Sequence, residues 1–320
     1  MSEITDVHGV APEPELPSQL KPAIQKLSNW VMQRLRSEEI VITEPVYHFT
    51  SLDACRSIIS SDEIWHTSIR QLNDPDELAF TYSILRRVLR YRMASSEVCR
   101  LTLNGFETTA RQFPQWFSTF IASFSLAPDD SNQWDKYGDS ERGVRLSLSP
   151  SVFSVEQAVP SGLPPLEQVF VSAVRYGPKG VERILNEAID QIEHSIPDLS
   201  QHSQADVVAF AVELQKQLAK IFIWTSITNK RKKWLREREI RLIVTNDSKL
   251  LNSCVRTRLR NGKTIKFVAP TFKQACKASI RATGSLLGLQ LGKYVTNTQE
   301  QEIEQFLVQQ ELKVPVEKVL

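Results

Sequence analysis

Apolar side chains recur at Leu20, Ile24, Leu27, Val31 and Leu35, and steps of three or four residues place them along one side of an amphipathic helix. Glu44-Pro45 closes that segment, and Val46-Tyr47-His48-Phe49 reads as a short strand. Thr50-Ser51-Leu52-Asp53 has the spacing of a capping box, so a helix is expected there with Leu52, Cys55, Ile58 and Ile59 inward. Ile64-Trp65-His66-Thr67 reads as a second strand, Asn73-Asp74-Pro75 as a turn, and Leu78, Tyr82, Leu85 and Leu89 as one face of a long helix. Further strands are predicted at Thr119–Phe124, Val144–Leu148, Val169–Val174, Arg238–Val244 and Thr264–Val268. Two helical patterns separated by Pro197 fill residues 178–224, and a last helix holds Ile303, Phe306 and Leu307.

The strands are interrupted by helices without regular βαβ alternation, so the predicted class is α+β. The predicted organisation is a flexible tail over 1–17, an N-terminal helix over 18–44, a core over 45–290 with a helical insertion at about 178–224, and a C-terminal helix and tail over 291–320. At 41% hydrophobic residues the 320-residue chain can bury a large core, and a net charge of +2 gives little whole-molecule attraction to nucleic acid or membrane. Any basic surface must then be local. Cys55, Cys99, Cys254 and Cys276 show no Cys-x-x-Cys spacing, the first residues do not resemble a secretion signal, and there is no apolar run of about 18 residues. A soluble cytoplasmic protein that makes no use of a membrane is therefore expected.

The usual nucleotide and hydrolase signatures are missing: no Gly-x-Gly-x-x-Gly after a strand, no phosphate loop, no Gly-x-Ser-x-Gly. The histidines and cysteines make no metal-binding spacing, so no metal is expected. His48, between Tyr47 and Phe49, is either a core-edge histidine satisfied by a backbone carbonyl or a polar group set by a strand to hold a ligand hydroxyl. Trp65, Arg70 and Asn73 would line a groove, or form a core tryptophan under a solvated loop. Trp134 and Tyr137 offer flat rings for stacking, or simple packing under a loop. Lys230, Arg231, Lys232 and Lys233 are four consecutive cations that could touch phosphates, or a solvated helix end. After them, strand alternation would put Glu237, Glu239 and Arg241 on one face and Arg238 and Ile240 on the other. A hydrolase or nuclease using His48, His66 and Asp74 is a weaker alternative without a supporting spacing.

Tyr47-His48-Phe49-Thr50-Ser51-Leu52, Ile64-Trp65, Leu72-Asn73-Asp74-Pro75-Asp76-Glu77, Trp134-Asp135-Lys136-Tyr137-Gly138 with Gly143-Val144, and Trp234 with Glu237-Arg238-Glu239-Ile240-Arg241 together resemble the bacterial domain-of-unknown-function family 2971 over about residues 45–290. The chain carries Ile240 where members often carry tryptophan. The start of that family is similar to ADP-ribosyltransferases that modify nucleic acid, with a Tyr-His-x-Thr strand followed by a helix. The resemblance implies an ADP-ribosyltransferase-like split mixed sheet with helical insertions. It implies NAD as substrate, and either ADP-ribosyl transfer to a nucleic-acid or protein acceptor or NAD hydrolysis, in a bacterial toxin or antiphage effector that a regulatory partner could restrain. Carried over, His48 grips the adenosine-side ribose, Glu239 is the catalytic carboxylate and Glu237 its neighbour in a Glu-x-Glu pair. Tyr47, Trp65 and Trp134 compete to stack the nicotinamide, with Thr50, Arg70, Asn73, Tyr137 and Arg241 as further cofactor contacts. The alternative is a non-catalytic module that senses a nucleotide or docks nucleic acid through Lys230–Lys233.

Overall fold

The computed structural model describes residues 15–71, 76–93, 100, 102, 106, 109, 117–153, 169–247, 251, 253–260, 262–276 and 278–319. Asn73, Asp74 and Cys99 lie outside the described residues, as do the first 14.

Helix α1 (Lys21–Arg36) follows the apolar series and buries Ile24, Leu27, Val31 and Leu35, while Arg34 and Arg36 face the negative end of its dipole. Strand β1 (Val46–Thr50) leads into α2 (Leu52–Ser61). The N-cap of α2 is Ser51, whose hydroxyl accepts from Ala54 N at 3.2 Å, so Thr50 stays in the strand and the expected capping box is replaced by a single cap, since Ala54 at N3 cannot return the bond. Strand β2 (His66–Ser68) starts two residues later than its pattern suggested. Ile64 and Glu63 are held otherwise, Ile64 N by Pro270 O at 3.1 Å and Glu63 in a bridge to Thr271. Helix α3 (Asp76–Met93), strand β3 (Phe117–Ser125), short helix α4 (Ser131–Lys136), β4 (Val144–Leu148), β5 (Val169–Ala173) and β6 (Arg175–Tyr176) follow. The helical region is α5 (Pro178–Ser195) and α6 (Gln204–Ile227), the latter opened by a complete capping box between Ser203 and Asp206. The rest is β7 (Asn229–Lys230), β8 (Glu239–Asp247), the hairpin β9 (Arg256–Arg260) and β10 (Lys263–Val268), α7 (Phe272–Ala275), β11 (Leu286–Leu291), α8 (Asn297–Gln309) and β12 (Val316–Lys318).

The fold is a mixed α/β structure on an open, mostly antiparallel sheet, in which the β11–β12 pair is parallel. That sheet is forked. β8 covers one edge of β3 from Phe117 to Ser125, with β5 outside it. Two strands share the other edge of β3. β1 meets it at Ser125 and continues as β4, β11 and β12, whereas β2 meets it at Phe120 and Ile121 and continues as β10 and β9. Residues 122–124 lie between the two arms. Strand alternation sorts the side chains into two cores. Phe120, Phe124, Ile240, Leu242 and Leu146 pack with α2, α7 and α8, while Ile121, Phe170 and Ile243 pack under α1, α3, α5 and α6. Among the described residues no helix is long and apolar enough to cross a membrane.

Candidate functional site

The fork opens a cavity of about 450 Å³, within the range of small-molecule sites. His48 lies on the β1 lip. The Ser123 carbonyl can only accept, so the 3.0 Å contact requires His48 Nδ1–H to donate. The neutral ring then offers Nε2 as an acceptor. Burial pushes the His48 pKa below its ordinary value, against the opposing pull of the Ser123 bond. The ring also rests 5.3 Å from Phe124, so the core-edge description and a place on the cavity wall both hold.

Glu237 and Glu239 line the same cavity. Register places His48 opposite Leu146 on one face of the sheet, and Glu239 in a row with Ser125 and Tyr47 on the other. They border one space because it runs through the fork, from Ala54 and Ser57 of α2 to Lys136 and Tyr137 at the end of α4. Glu237 departs from the expected alternation. It ends the 3-10 turn Lys232–Glu237, and Arg238 follows in the left-handed region at φ 41°, so the strand begins only at Glu239.

The two carboxylates are held by buried cations. Lys230 Nζ lies 2.9 Å from Glu237 Oε2 and 2.6 Å from Glu239 Oε2. Arg241 donates to both oxygens of Glu239, from Nε at 2.8 Å and Nη2 at 3.2 Å, and to the Ile227 carbonyl at the end of α6 from Nη1 at 2.6 Å. Tyr176 Oη accepts from Glu239 N at 2.9 Å. Burial alone would raise the Glu239 pKa, but Arg241 and Lys230 outweigh it and hold the carboxyl at about 2. For Glu237 burial wins over the attraction of Lys230, with the Glu239 charge adding to the rise. Neighbouring carboxylates with pKa values pushed apart form the pattern of a fixed anion beside a proton acceptor.

The other end of the cavity is aromatic and cationic. Trp65 is 36% exposed, stacks 4.7 Å from Phe267, and lies under the Arg258 guanidinium at 4.7 Å. Gln71 braces this end, donating to Thr264 O at 2.8 Å and accepting from Lys266 N at 2.6 Å. Tyr47 lies under Arg145 at 4.7 Å, and Thr50 also lines the wall. Three consecutive residues beside Tyr137 take positive φ, Asp139 and Ser140 at 52° and Glu141 at 62°, the kind of strain that gathers at functional sites.

Of the three stacking candidates Trp65 and Tyr47 reach the cavity, whereas Trp134 is buried edge-on against Phe49 at 5.1 Å and belongs to the core. Arg70 is exposed on the 3-10 turn Ile69–Gln71 and is not part of the wall, where its neighbour Gln71 stands. Arg241 acts through Glu239. The basic run does not form one outward patch. Lys230 is buried between two carboxylates, so Lys232 and Lys233 are exposed and Arg231 half-buried without it. His66 is fully buried, with Nδ1 on Ile64 O at 2.9 Å and its pKa lowered to about 4 by burial, a core position unlike the exposed base of a hydrolase. Sequence reasoning missed Arg258, Gln71, Lys136 and Ser123. Only Arg258 left a signal, since it sits in an acid-free stretch, residues 248–299.

Fold and site together define an open mixed sheet that splits around a cavity bordered by an imidazole and a carboxylate pair. No family model matches the chain, and no curated protein or solved structure does either.

Proposed function

We propose that the chain binds NAD in the fork and cleaves its nicotinamide–ribose bond, as an ADP-ribosyltransferase or an NAD glycohydrolase, and that the forked sheet is an ADP-ribosyltransferase-like split core. The observation that carries this is the shared cavity, with His48 on one lip and the Glu237–Glu239 pair at one end. Backbone alternation adds support: Tyr47 pairs with Ser125, so Phe49 and Ser123 turn their peptide groups into the gap, where a ligand carboxamide could bond them. In the reaction the C1′–N bond breaks with its electron pair leaving on the nicotinamide nitrogen. The ribose carbon gains oxocarbenium character, which Glu239, held ionised at neutral pH by Arg241 and Lys230, stabilises by a preorganised charge. An acceptor oxygen or nitrogen, or water, forms the new bond and loses its proton to Glu237 or solvent. His48 Nε2 accepts from a ribose hydroxyl.

Purified protein incubated with NAD, scored for nicotinamide release with and without DNA, RNA and protein acceptors, tests the proposal. Release by wild type that falls at least 100-fold in Glu239→Gln is expected, since lost preorganised contacts cost on the order of 10²–10³ in rate. No release and no NAD binding by wild type would sink it.

One observation favours a second reading, binding without turnover. The two carboxylates and two cations cancel within the wall, leaving little net field to stabilise a developing cation. Saturable NAD binding by calorimetry with no nicotinamide release would select it.

A further inference from the structure

Residues 248–299 contain ten lysines and arginines and no aspartate or glutamate, in a chain whose net charge is +2. The rest of the chain is therefore net acidic. One group of its acids lies at the amino terminus, where residues 1–17 hold Glu3, Asp6, Glu13 and Glu15 and no lysine or arginine. The basic stretch carries the β9–β10 hairpin, and β9 stands last in its arm of the sheet, with no strand on its outer edge among the described residues. The N–H and C=O groups along such an edge are a template for another strand unless something covers them. Thr257 and Leu259 of β9 are exposed, Leu259 at 78%. Arg258 and Leu259 also line the cavity, so whatever lies on this edge stands at the cavity mouth.

Register sorts the hairpin into two faces. Arg256, Arg258 and Lys263 share one with Ile265 and Phe267, whereas Thr257, Leu259, Thr264 and Lys266 share the other. A strand that complements β9 needs an acid on the first face, and an apolar residue beside an acid on the second. Glu3-Ile4-Thr5-Asp6-Val7 alternates in that way, and Ile4, Thr5 and Val7 favour strand. Set antiparallel with Ile4 opposite Leu259, it brings Thr5 opposite Arg258, Asp6 into the row of Thr257 and Lys266, and Glu3 into the row of Arg260 and Lys263. An anionic lipid surface would use the cations and leave the backbone edge and Leu259 unmatched. Ile4 lies eleven residues before Glu15, where the described chain starts. Eleven extended residues span about 36 Å, against a radius of gyration of about 20 Å for a folded chain of this length, so the tether is comparable to the width of the molecule.

We propose that the segment Glu3–Val7 of this same chain docks on the outer edge of β9 as an added antiparallel strand and covers the cavity mouth. Its restraint of NAD turnover rests on the function proposed above, whereas the docking itself does not.

The test is hydrogen exchange of the full-length protein without NAD, read by mass spectrometry on peptides covering β9. Wild-type β9 amides should exchange at least roughly tenfold more slowly than in Ile4→Pro/Thr5→Pro, where adjacent prolines delete the N–H on whichever side faces β9. Charge exchange gives a second reading: Asp6→Lys and Lys266→Glu should each speed exchange, and the two together should restore part of the protection. A carbodiimide, which joins carboxylates to amines in contact, should link Glu3 or Asp6 to Lys263 or Lys266. A tethered segment meets its edge at an effective concentration on the order of 1 mM, so the yield of that link should be the same at about 1 and 50 µM protein. The proposal is overturned by β9 amides that exchange alike in wild type and the proline variant, by links to other lysines only, or by a yield that grows with protein concentration, the mark of a second copy. Nicotinamide release is scored separately, so failure of the NAD chemistry leaves exchange and cross-links readable. Faster release by the proline variant is expected, and equal release refutes the restraint.

Discussion

Replacing Lys230 with methionine keeps the volume of the side chain and deletes one charge from a buried set of four. Lys230 Nζ lies 2.9 Å from Glu237 and 2.6 Å from Glu239, with 7% of its side chain exposed against 5% for each carboxylate. At an effective dielectric of about 20, each contact is worth on the order of 5 kcal/mol in Coulomb terms, most of it cancelled by the cost of desolvating the ammonium. Removing the ammonium returns none of the desolvation of the two carboxylates. The loss should therefore match that of breaking a buried pair, about 3–5 kcal/mol. At roughly 2 °C per kcal/mol for a chain of this size, the melting temperature should fall by about 6–10 °C. The double variant Lys230→Met/Glu237→Gln leaves Glu239 with Arg241 and a balanced charge, so it should recover at least half of that loss. Urea unfolding of wild type, both single variants and the double variant closes the cycle. A Lys230→Met cost under about 1 kcal/mol, or a double variant no more stable than Lys230→Met, would refute the argument that these charges stabilise one another.

Acid titration should separate the two carboxylates. Glu239 is held at about 2 against an ordinary 4.5, so its ionised form contributes on the order of 3 kcal/mol above pH 4.5 and loses it as pH falls toward 2. Glu237 is raised, so its contribution is complete below 4.5 and lost as pH rises through its folded value; urea midpoints of Glu239→Gln and Glu237→Gln across pH 2–7 should diverge accordingly. Burial pushes the Cys55 thiol up to about 12 and the Cys276 thiol upward as well, so iodoacetamide at pH 8 should label Cys254 ahead of Cys55 and Cys276, and those two only on unfolding, as peptide mass spectrometry can show. Gly143→Ala would place a Cβ 2.2 Å from the Thr50 carbonyl, where β4 leaves beside β1, and should cost about 2–4 kcal/mol by urea unfolding or abolish soluble expression.

Local features of the fold were legible where one residue decides them. The Leu20–Leu35 spacing gave α1, and apolar periodicity located α5 and α6 either side of Pro197. The fork was not legible from residue patterns, because it depends on β1 and β2 taking different stretches of the same β3 edge, a matter of long-range register. Glu237 looked like a strand residue since nothing in Glu-Arg-Glu announces a break. The break is a left-handed Arg238, which a sequence marks only when glycine or asparagine fills the position. Lys230 shared its charge with three neighbours and was read with them, yet its two-residue pairing with β6 turns it inward. Of the basic hairpin, β10 was expected at Thr264–Val268 and β9 was not, and its charge escaped notice because each cation there is ordinary. Only the absence of acids over residues 248–299 sets the stretch apart.

Splitting a sheet has a cost that the fork makes specific. Strand edges within a protein must find partners for their peptide groups, and β3 finds them at Ser125 and at Phe120–Ile121 while its middle faces a cavity. His48 meets part of that demand by donating to the Ser123 carbonyl. The same bond fixes which ring nitrogen is left to face the cavity, so the residue that supports the opened edge also sets the polarity of the site. Replacing His48 with phenylalanine should then do two separable things: lower stability by about 1–2 kcal/mol through the unpaired carbonyl, and remove the Nε2 acceptor. His48→Asn, which can still donate to Ser123 from a shorter side chain, should restore part of the stability and none of the NAD affinity. If His48→Phe binds NAD as wild type while its urea midpoint falls, the imidazole serves the edge alone and the ligand lies elsewhere in the fork.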